Sequence, residues 1–328
     1  MTTPPEIPPH LKDLYAAAGP VLRYRIMRDV VGHDDSYIAT AHLGLDLRAL
    51  PEAQTLKSTQ ELDGTWNGLL CSGESHRTTT EVAVLRLCEL GLEGSESVRL
   101  CLESALLPTL FSEELLWEFE ETARDKESRV AARHIVRDKA LRLICRAARQ
   151  YDAEIKPLLE AVMAEWEYFL QSPTPARAPR TVPTADAYAA VCWYPWSEDD
   201  FPRVRDVTHR LIRYAEAAID EPVLVPDVMM RQIFQLTDKW EYLARPDLLF
   251  HELELAARLG VVNDLPHTRW LLEELEARQD ADGWCRFEVA ETIERTWYFP
   301  LDKEKLKDYP VEWTFRAALI FKLLEYDL

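Results

Sequence analysis

Glycine is scarce in this chain, at 10 of 328 residues, and β-branched runs are few, which disfavours turn-rich sheet folds and favours helices. Positive charge is short as well. Against 57 acidic side chains stand 38 basic ones, a net charge of −19 at pH 7. A chain so acidic repels phosphate backbones and anionic lipid surfaces, which argues against nucleic acid as a partner. The cysteines, at 71, 88, 101, 145, 192 and 285, form no C-x-x-C. Neither a disulfide framework nor a clustered zinc site follows from that spacing, so reduced, buried thiols are expected. The opening Met1-Thr2-Thr3-Pro4-Pro5 has no basic or apolar leader, and no stretch reaches the length of a membrane span. A soluble cytoplasmic protein is expected. No glycine-rich phosphate loop and no G-x-S-x-G occur, which argues against the usual nucleotide enzymes and serine hydrolases. No cofactor is expected, and the oligomeric state is left open.

What is present is helical periodicity. Residues 1–9 are proline-rich and read as an extended arm, leaving 10–328 as a single domain. Apolar residues recur at helical spacing in six segments beginning near 21, 77, 133, 184, 245 and 311. Two of them, with Val82, Val84, Leu85, Leu87 and Leu90 or with Leu248, Leu249, Leu253, Leu255 and Leu259, are apolar on more than one face, as a helix packed on both sides must be. The segments between, around 50–61, 97–107, 155–170, 203–219 and 267–279, are one-sided and charged. Prolines 173, 175, 179 and 183 bound one connection, and Pro222 with Pro226 another. Nothing reads as a strand. The fold class expected is all-α, with six helix pairs at a spacing of roughly 50 to 65 residues closing an (α/α)6 toroid around one axial cavity.

Two turns carry the clearest motif: Gln60-Glu61-Leu62-Asp63-Gly64-Thr65-Trp66 and Gln279-Asp280-Ala281-Asp282-Gly283-Trp284. A helix closing on Gln and passing into a turn needs glycine for a positive φ, and the following Trp can pack back over the helix end. Each turn follows one helix and precedes another, so the two are read as a repeat. In these residues the chain resembles the squalene-cyclase and prenyltransferase repeat proteins, whose motif is Q-x-x-x-G-x-W. Gln60, Gly64 and Trp66 match it outright, and the second copy is one residue short before Trp284. Val311 through Ala318 looks like the closing inner helix of short bacterial squalene-cyclase-like proteins, and Arg23-Tyr24, Arg28-Asp29 and Asp34-Asp35 like their opening run. The resemblance covers both ends of the chain and fades between about residues 95 and 235.

That resemblance implies a cavity entered where the inner helices begin. Catalytic candidates there are His76, Glu81, His134, Asp247 and His251; ligand-binding candidates are Arg77, Arg137, Tyr188, Trp193, Trp196, Trp240, Tyr242, Trp297 and Trp313. In terpene cyclases aromatic walls hold an apolar chain and stabilise carbocations through ring faces. Trp66 and Trp284 are expected to act as staples instead. The family's D-x-D-D acid is missing: His33-Asp34-Asp35-Ser36 and Glu198-Asp199-Asp200 come closest, and both follow an inner helix. D-D-x-x-D is missing too. A prenyltransferase-like zinc set would need Asp282, Cys285 and His251 or His267, but the D-x-C spacing is not reproduced, so no metal is expected.

Three functions are carried forward. The first is a cyclase- or lyase-like toroid taking a small apolar, isoprenoid-type ligand with a non-standard acid or base. The second is a non-catalytic binding or scaffold toroid. The third is a glycan lyase or hydrolase, suggested by Glu118, Glu120 and Glu121 after Trp117.

Overall fold

A computed structural model describes residues 7–33, 47–68, 70, 78–112, 126–147, 151–171, 183–219, 245–287 and 309–325. These residues are helical, with no strand among them and one isolated bridge, Gln279 to Cys285. After a 3-10 turn at Pro9–Leu11 come α1 (Lys12–Ala17) and α2 (Pro20–Arg25), which continues as a π-helical turn, Ile26–Val31. Next are α3 (Pro51–Ser58), α4 (Thr80–Glu89) and α5, which runs Glu96–Cys101, a π-helical turn Leu102–Leu106, then Leu107–Phe111. The remainder is α6 (Lys126–Ala147), α7 (Asp152–Gln171), α8 (Ala185–Trp193), α9 (Phe201–Ile219), α10 (Pro246–Arg258), α11 (Pro266–Ala277) and α12 (Tyr309–Leu323).

Many of the prolines open helices rather than break them. Pro20, Pro51, Pro246 and Pro266 sit at the first helical position, where the missing N–H had no partner to lose and the fixed φ suits the helix. At three other helix starts a hydroxyl serves: Thr79, Ser95 and Thr184 accept from the backbone N–H three residues on. Glycine closes them. Leu92 N donates to Leu87 O and Gly91 N to Cys88 O, a Schellman closure of α4 with Gly91 at φ 75°. The same pair of bonds, Val261 N to Ala256 O and Gly260 N to Ala257 O, closes α10. Six of the eight described glycines, all but Gly19 and Gly94, have left-handed backbone.

The two Gln turns are one structure. Glu61 N donates to Thr65 O and Gly64 N to Glu61 O, while Asp280 N donates to Trp284 O and Gly283 N to Asp280 O. Trp66 N then donates to Thr80 Oγ1 at the start of α4, and Cys285 N to Thr314 Oγ1 in α12. Matched bond for bond, Gln60 pairs with Gln279, Gly64 with Gly283 and Trp66 with Cys285. The second copy is not a residue short, and the expectation that Trp284 repeats the Trp66 staple is corrected. Trp284 takes the place of Thr65, half-buried against Leu11, Leu14, Ile26 and Phe315. The staple slot holds the smaller Cys285, fully buried. In the first copy Trp66 is buried and its Nε1 donates to Leu56 O at 2.8 Å, while Gln60 Nε2 donates to Gly64 O and to Ser97 O in α5.

Gly64 also touches its neighbours closely. A Cβ there would lie 2.9 Å from Leu100 O and 3.1 Å from Cys101 Cα, whereas at Gly283 nothing lies within 4 Å. Both have φ above 80°. Gly283→Ala should therefore cost about 1 kcal/mol from backbone strain alone, and Gly64→Ala a further 1 to 3 kcal/mol from overpacking against backbone. Urea denaturation of the two variants checks the difference; equal losses would contradict it.

The even-numbered helices pack in sequence: α4 against α6, α6 against α8, α8 against α10, α10 against α12, and α12 against the turn after α2. The odd-numbered ones pack on these, α5 on α4 and α6, α7 on α8 and α9, and α11 on α10. The main apolar core lies among them, with Leu85, Val84, Leu141, Ile144, Val191, Leu249 and Leu253 from even-numbered helices.

Candidate functional site

Five of the even-numbered helices carry charge along one stripe, and α8 adds Asp186. Arg25 and Asp29 are four apart; Glu81 and Glu89 eight; Lys139, Arg142 and Arg146 three and seven; His251, Glu254 and Arg258 three and seven; Glu312 and Arg316 four. These intervals return a helix to nearly the same face. The stripes meet in two clusters.

Glu89 of α4 holds the first. It accepts from Arg25 of α2, from Arg146 of α6 at 3.1 Å and from Arg316 of α12 at 2.9 Å, and its side chain is only 8% exposed. Burial opposes its ionisation, yet Arg25, Arg316 and Arg146 outweigh it and hold the carboxyl well below the usual range. Arg25 reaches on to Asp29, which burial would neutralise but Arg25 and Arg28 keep ionised; Arg28 pairs with Glu93, and Arg316 with Glu312. Arg25 also lies 4.8 Å over the Phe315 ring.

The second cluster is a square of two cations and two carboxylates. Lys139 and Arg142 of α6 each contact both Glu81 of α4 and Asp186 of α8, at 2.9 to 3.4 Å. All four side chains lie between helices and still keep 14 to 18% of their surface accessible. His251 of α10 is beside them, deep and half-accessible; burial and the charge of Arg142 push its pKa down to about 3. It is neutral at pH 7. The His251 ring signals in an NMR titration should stay fixed between pH 8 and 5, while an inflection near 6.5 would contradict the packing.

Trp193 of α8 ties the first cluster to Arg258 of α10. The guanidinium carbons of Arg146 and Arg258 lie 4.0 and 3.5 Å from its ring centroid. Two guanidinium groups that close to one centroid would overlap on a single face, so they take opposite faces. Arg258 Nη2 donates to Glu254 at 2.8 Å.

The candidates drawn from the sequence divide accordingly. Glu81 and His251 belong to the charged assembly, and Trp193 does too, but as an indole clamped between cations rather than an open apolar wall. Asp247 is fully buried in a two-point ion pair with Arg245, at 3.0 Å for each bond. His134 and Arg137 sit on α6 but are turned roughly 140° or more from Lys139 by the helical period; Arg137 pairs with Asp138 and Glu165. Tyr188 is core, beside Cys192, and burial raises its pKa. Trp196 packs edge-on to Tyr194 and donates Nε1 to Val191 O, sealing the end of α8. Trp313 is also core, stacked on Phe250 at 5.3 Å with Phe287 against it. Tyr188 and Trp313 are both buried, on turns of α8 and α12 that face neighbouring helices. His76, Arg77, Trp240, Tyr242 and Trp297 lie outside the described residues, as do Asp34, Asp35 and the Glu118 to Glu121 run.

The residues that search by helix starts missed are Arg25, Glu89, Arg142, Arg146, Asp186, Glu254, Arg258 and Arg316. The signal is a charge recurring at helical intervals of three, four, seven or eight residues. Asp138 was missed as well; burial, despite Arg137 and the Thr184 hydroxyl, raises its pKa to about 6. Among the described residues no group of three metal-ligating side chains converges, and no helix is long and apolar enough to cross a membrane. Comparison with known proteins returned no matching family model, no matching curated protein and no matching solved structure.

Proposed function

We propose that the chain is an (α/α)6 toroid of the squalene-cyclase-like kind, in which the even-numbered helices form an inner ring around a small hollow, and that it binds a small polar ligand there. The observation that carries this is the convergence of charged side chains from α2, α4, α6, α8, α10 and α12 on two clusters. Charged stripes on five of these helices, together with Asp186 of α8, are what helices standing around a common axis would bring together. Asp186, Arg142, His251 and Arg258 lie deep and yet retain accessible surface, which suits the wall of an internal hollow.

The lining argues for polar cargo over an isoprenoid chain. A hydrocarbon in such a hollow would cut charged groups off from water with nothing in exchange. The clamped Trp193 offers no free ring face to a carbocation. Binding is preferred over catalysis because Glu81 and Asp247 are engaged with cations and His251 is held neutral, leaving none of them as a strong acid.

One observation favours a second reading, a scaffold whose axis is filled by its own ion pairs: seven cations, Arg25, Arg28, Lys139, Arg142, Arg146, Arg258 and Arg316, face seven carboxylates, Asp29, Glu81, Glu89, Glu93, Asp186, Glu254 and Glu312. Native mass spectrometry of freshly purified chain separates the two. A bound polar molecule supports the binding toroid, a bound isoprenoid overturns the preference for polar cargo, and bare protein with an axis unreactive to hydroxyl radicals supports the scaffold.

A further inference from the structure

We propose that Arg258 is an oxyanion-binding position within this hollow, and that the ligand is a small organic anion, a carboxylate or a phosphate ester, docked on its guanidinium. This deepens the toroid reading and rests on it.

Four of the axial arginines have two carboxylates each, while Arg146 has only Glu89, which it shares with Arg25 and Arg316. Arg142 has Glu81 and Asp186, Arg25 has Asp29 and Glu89, Arg316 has Glu89 and Glu312, and Arg28 has Asp29 and Glu93. Arg258 has one carboxylate, Glu254, from its own helix four residues back. Its Nε is buried with no acceptor among the described residues. The side chain nevertheless keeps 24% of its surface accessible, so Arg258 as a whole is not sealed in. Trp193 covers one face, and beyond Trp193 stands a second cation, Arg146. Burial disfavours the charged form by more than Glu254 restores, and Arg146 adds to the deficit, so that Arg258, unlike Arg25 and Arg28, has its pKa lowered.

An under-compensated cation that keeps accessible surface is completed by an incoming oxyanion, which accepts from the guanidinium while it supplies the missing charge. A planar guanidinium suits carboxylate and phosphate geometry alike. The indole fixes the plane in advance, so little side-chain freedom is lost on binding.

The test is titration calorimetry of the full chain at low ionic strength with benzoate and with inorganic phosphate as the two probes. At least one should bind. Arg258→Gln should weaken that binding tenfold or more, Arg258→Lys should weaken it less, and Glu254→Gln, which removes the competing carboxylate, should strengthen it several-fold. The probe that binds identifies carboxylate or phosphate chemistry. No binding of either probe to the unaltered chain, or equal binding by Arg258→Gln, overturns the proposal. Hydroxyl-radical footprinting tells the two levels apart. If Trp193 and His251 react while neither anion binds, the hollow stands and the oxyanion position fails; if they are as protected as Trp313, the hollow itself fails.

Discussion

Replacing Glu89 by alanine is expected to remove about 3 to 5 kcal/mol of folding stability, read as a lower midpoint in urea. Glu89 is the carboxylate on which Arg25, Arg146 and Arg316 converge. Without it three buried guanidinium groups face one another with too little negative charge between them. Glu89→Gln should be nearly as damaging, because the amide keeps the shape and loses the charge. If either variant unfolds within about 1 kcal/mol of the unaltered chain, the cluster is not the clasp described here.

The same carboxylates set the acid limb of stability. Glu89, Asp29 and Asp186 all have pKa values lowered in the folded chain, by surrounding cations that overcome burial. Their contribution is complete above the unfolded values, near 4.5 for Glu89, and is lost as pH falls through the folded ones. His251 acts earlier. With its pKa near 3 instead of 6.5, it takes stability away as pH drops from 6.5 toward 3. Asp138, at about 6 against 3.8, opposes this by binding its proton in the folded state first. The stability profile should therefore be shallow between pH 6.5 and 4.5 and steep below, and Glu89→Gln should flatten the steep part.

Trp66→Ala is the second large effect, at about 3 to 5 kcal/mol for the emptied indole site, with a further loss for the Leu56 carbonyl that Nε1 now satisfies. Trp66 is buried where α3 ends and α4 begins, so its removal loosens two helices at once. Cys285→Ala, at the matching position of the second turn, removes one sulfur and should cost about 1 kcal/mol. Near-equal losses would mean that the two turns are not equivalent sites filled to different extents.

The helices were legible because packing on two sides or one leaves a 3.6-residue pattern. The segments expected near 21, 184, 245 and 311 begin within a few residues of α2, α8, α10 and α12. The turns were legible for a different reason: Gly64 and Gly283 need a backbone other residues resist, and the sequence has little glycine elsewhere to confuse them. The register of the second turn was not, because its anchor is a backbone bond to Thr314, and Trp284 drew attention to the wrong position. The charged assembly was the least legible part. The start of α4 points to Glu81, whereas Glu89 lies eight residues on, at the other end of the helix. Pairing also depends on distance in space, and Glu89 meets Arg316 across 227 residues of sequence.

That last pair offers the most direct test. In a double-mutant cycle, Glu89→Gln, Arg316→Met and the combined variant are compared by urea denaturation. The clustered arrangement predicts a coupling of about 1 to 3 kcal/mol, since α4 and α12 must share one buried ion pair. Losses that simply add would contradict a shared ion pair between α4 and α12.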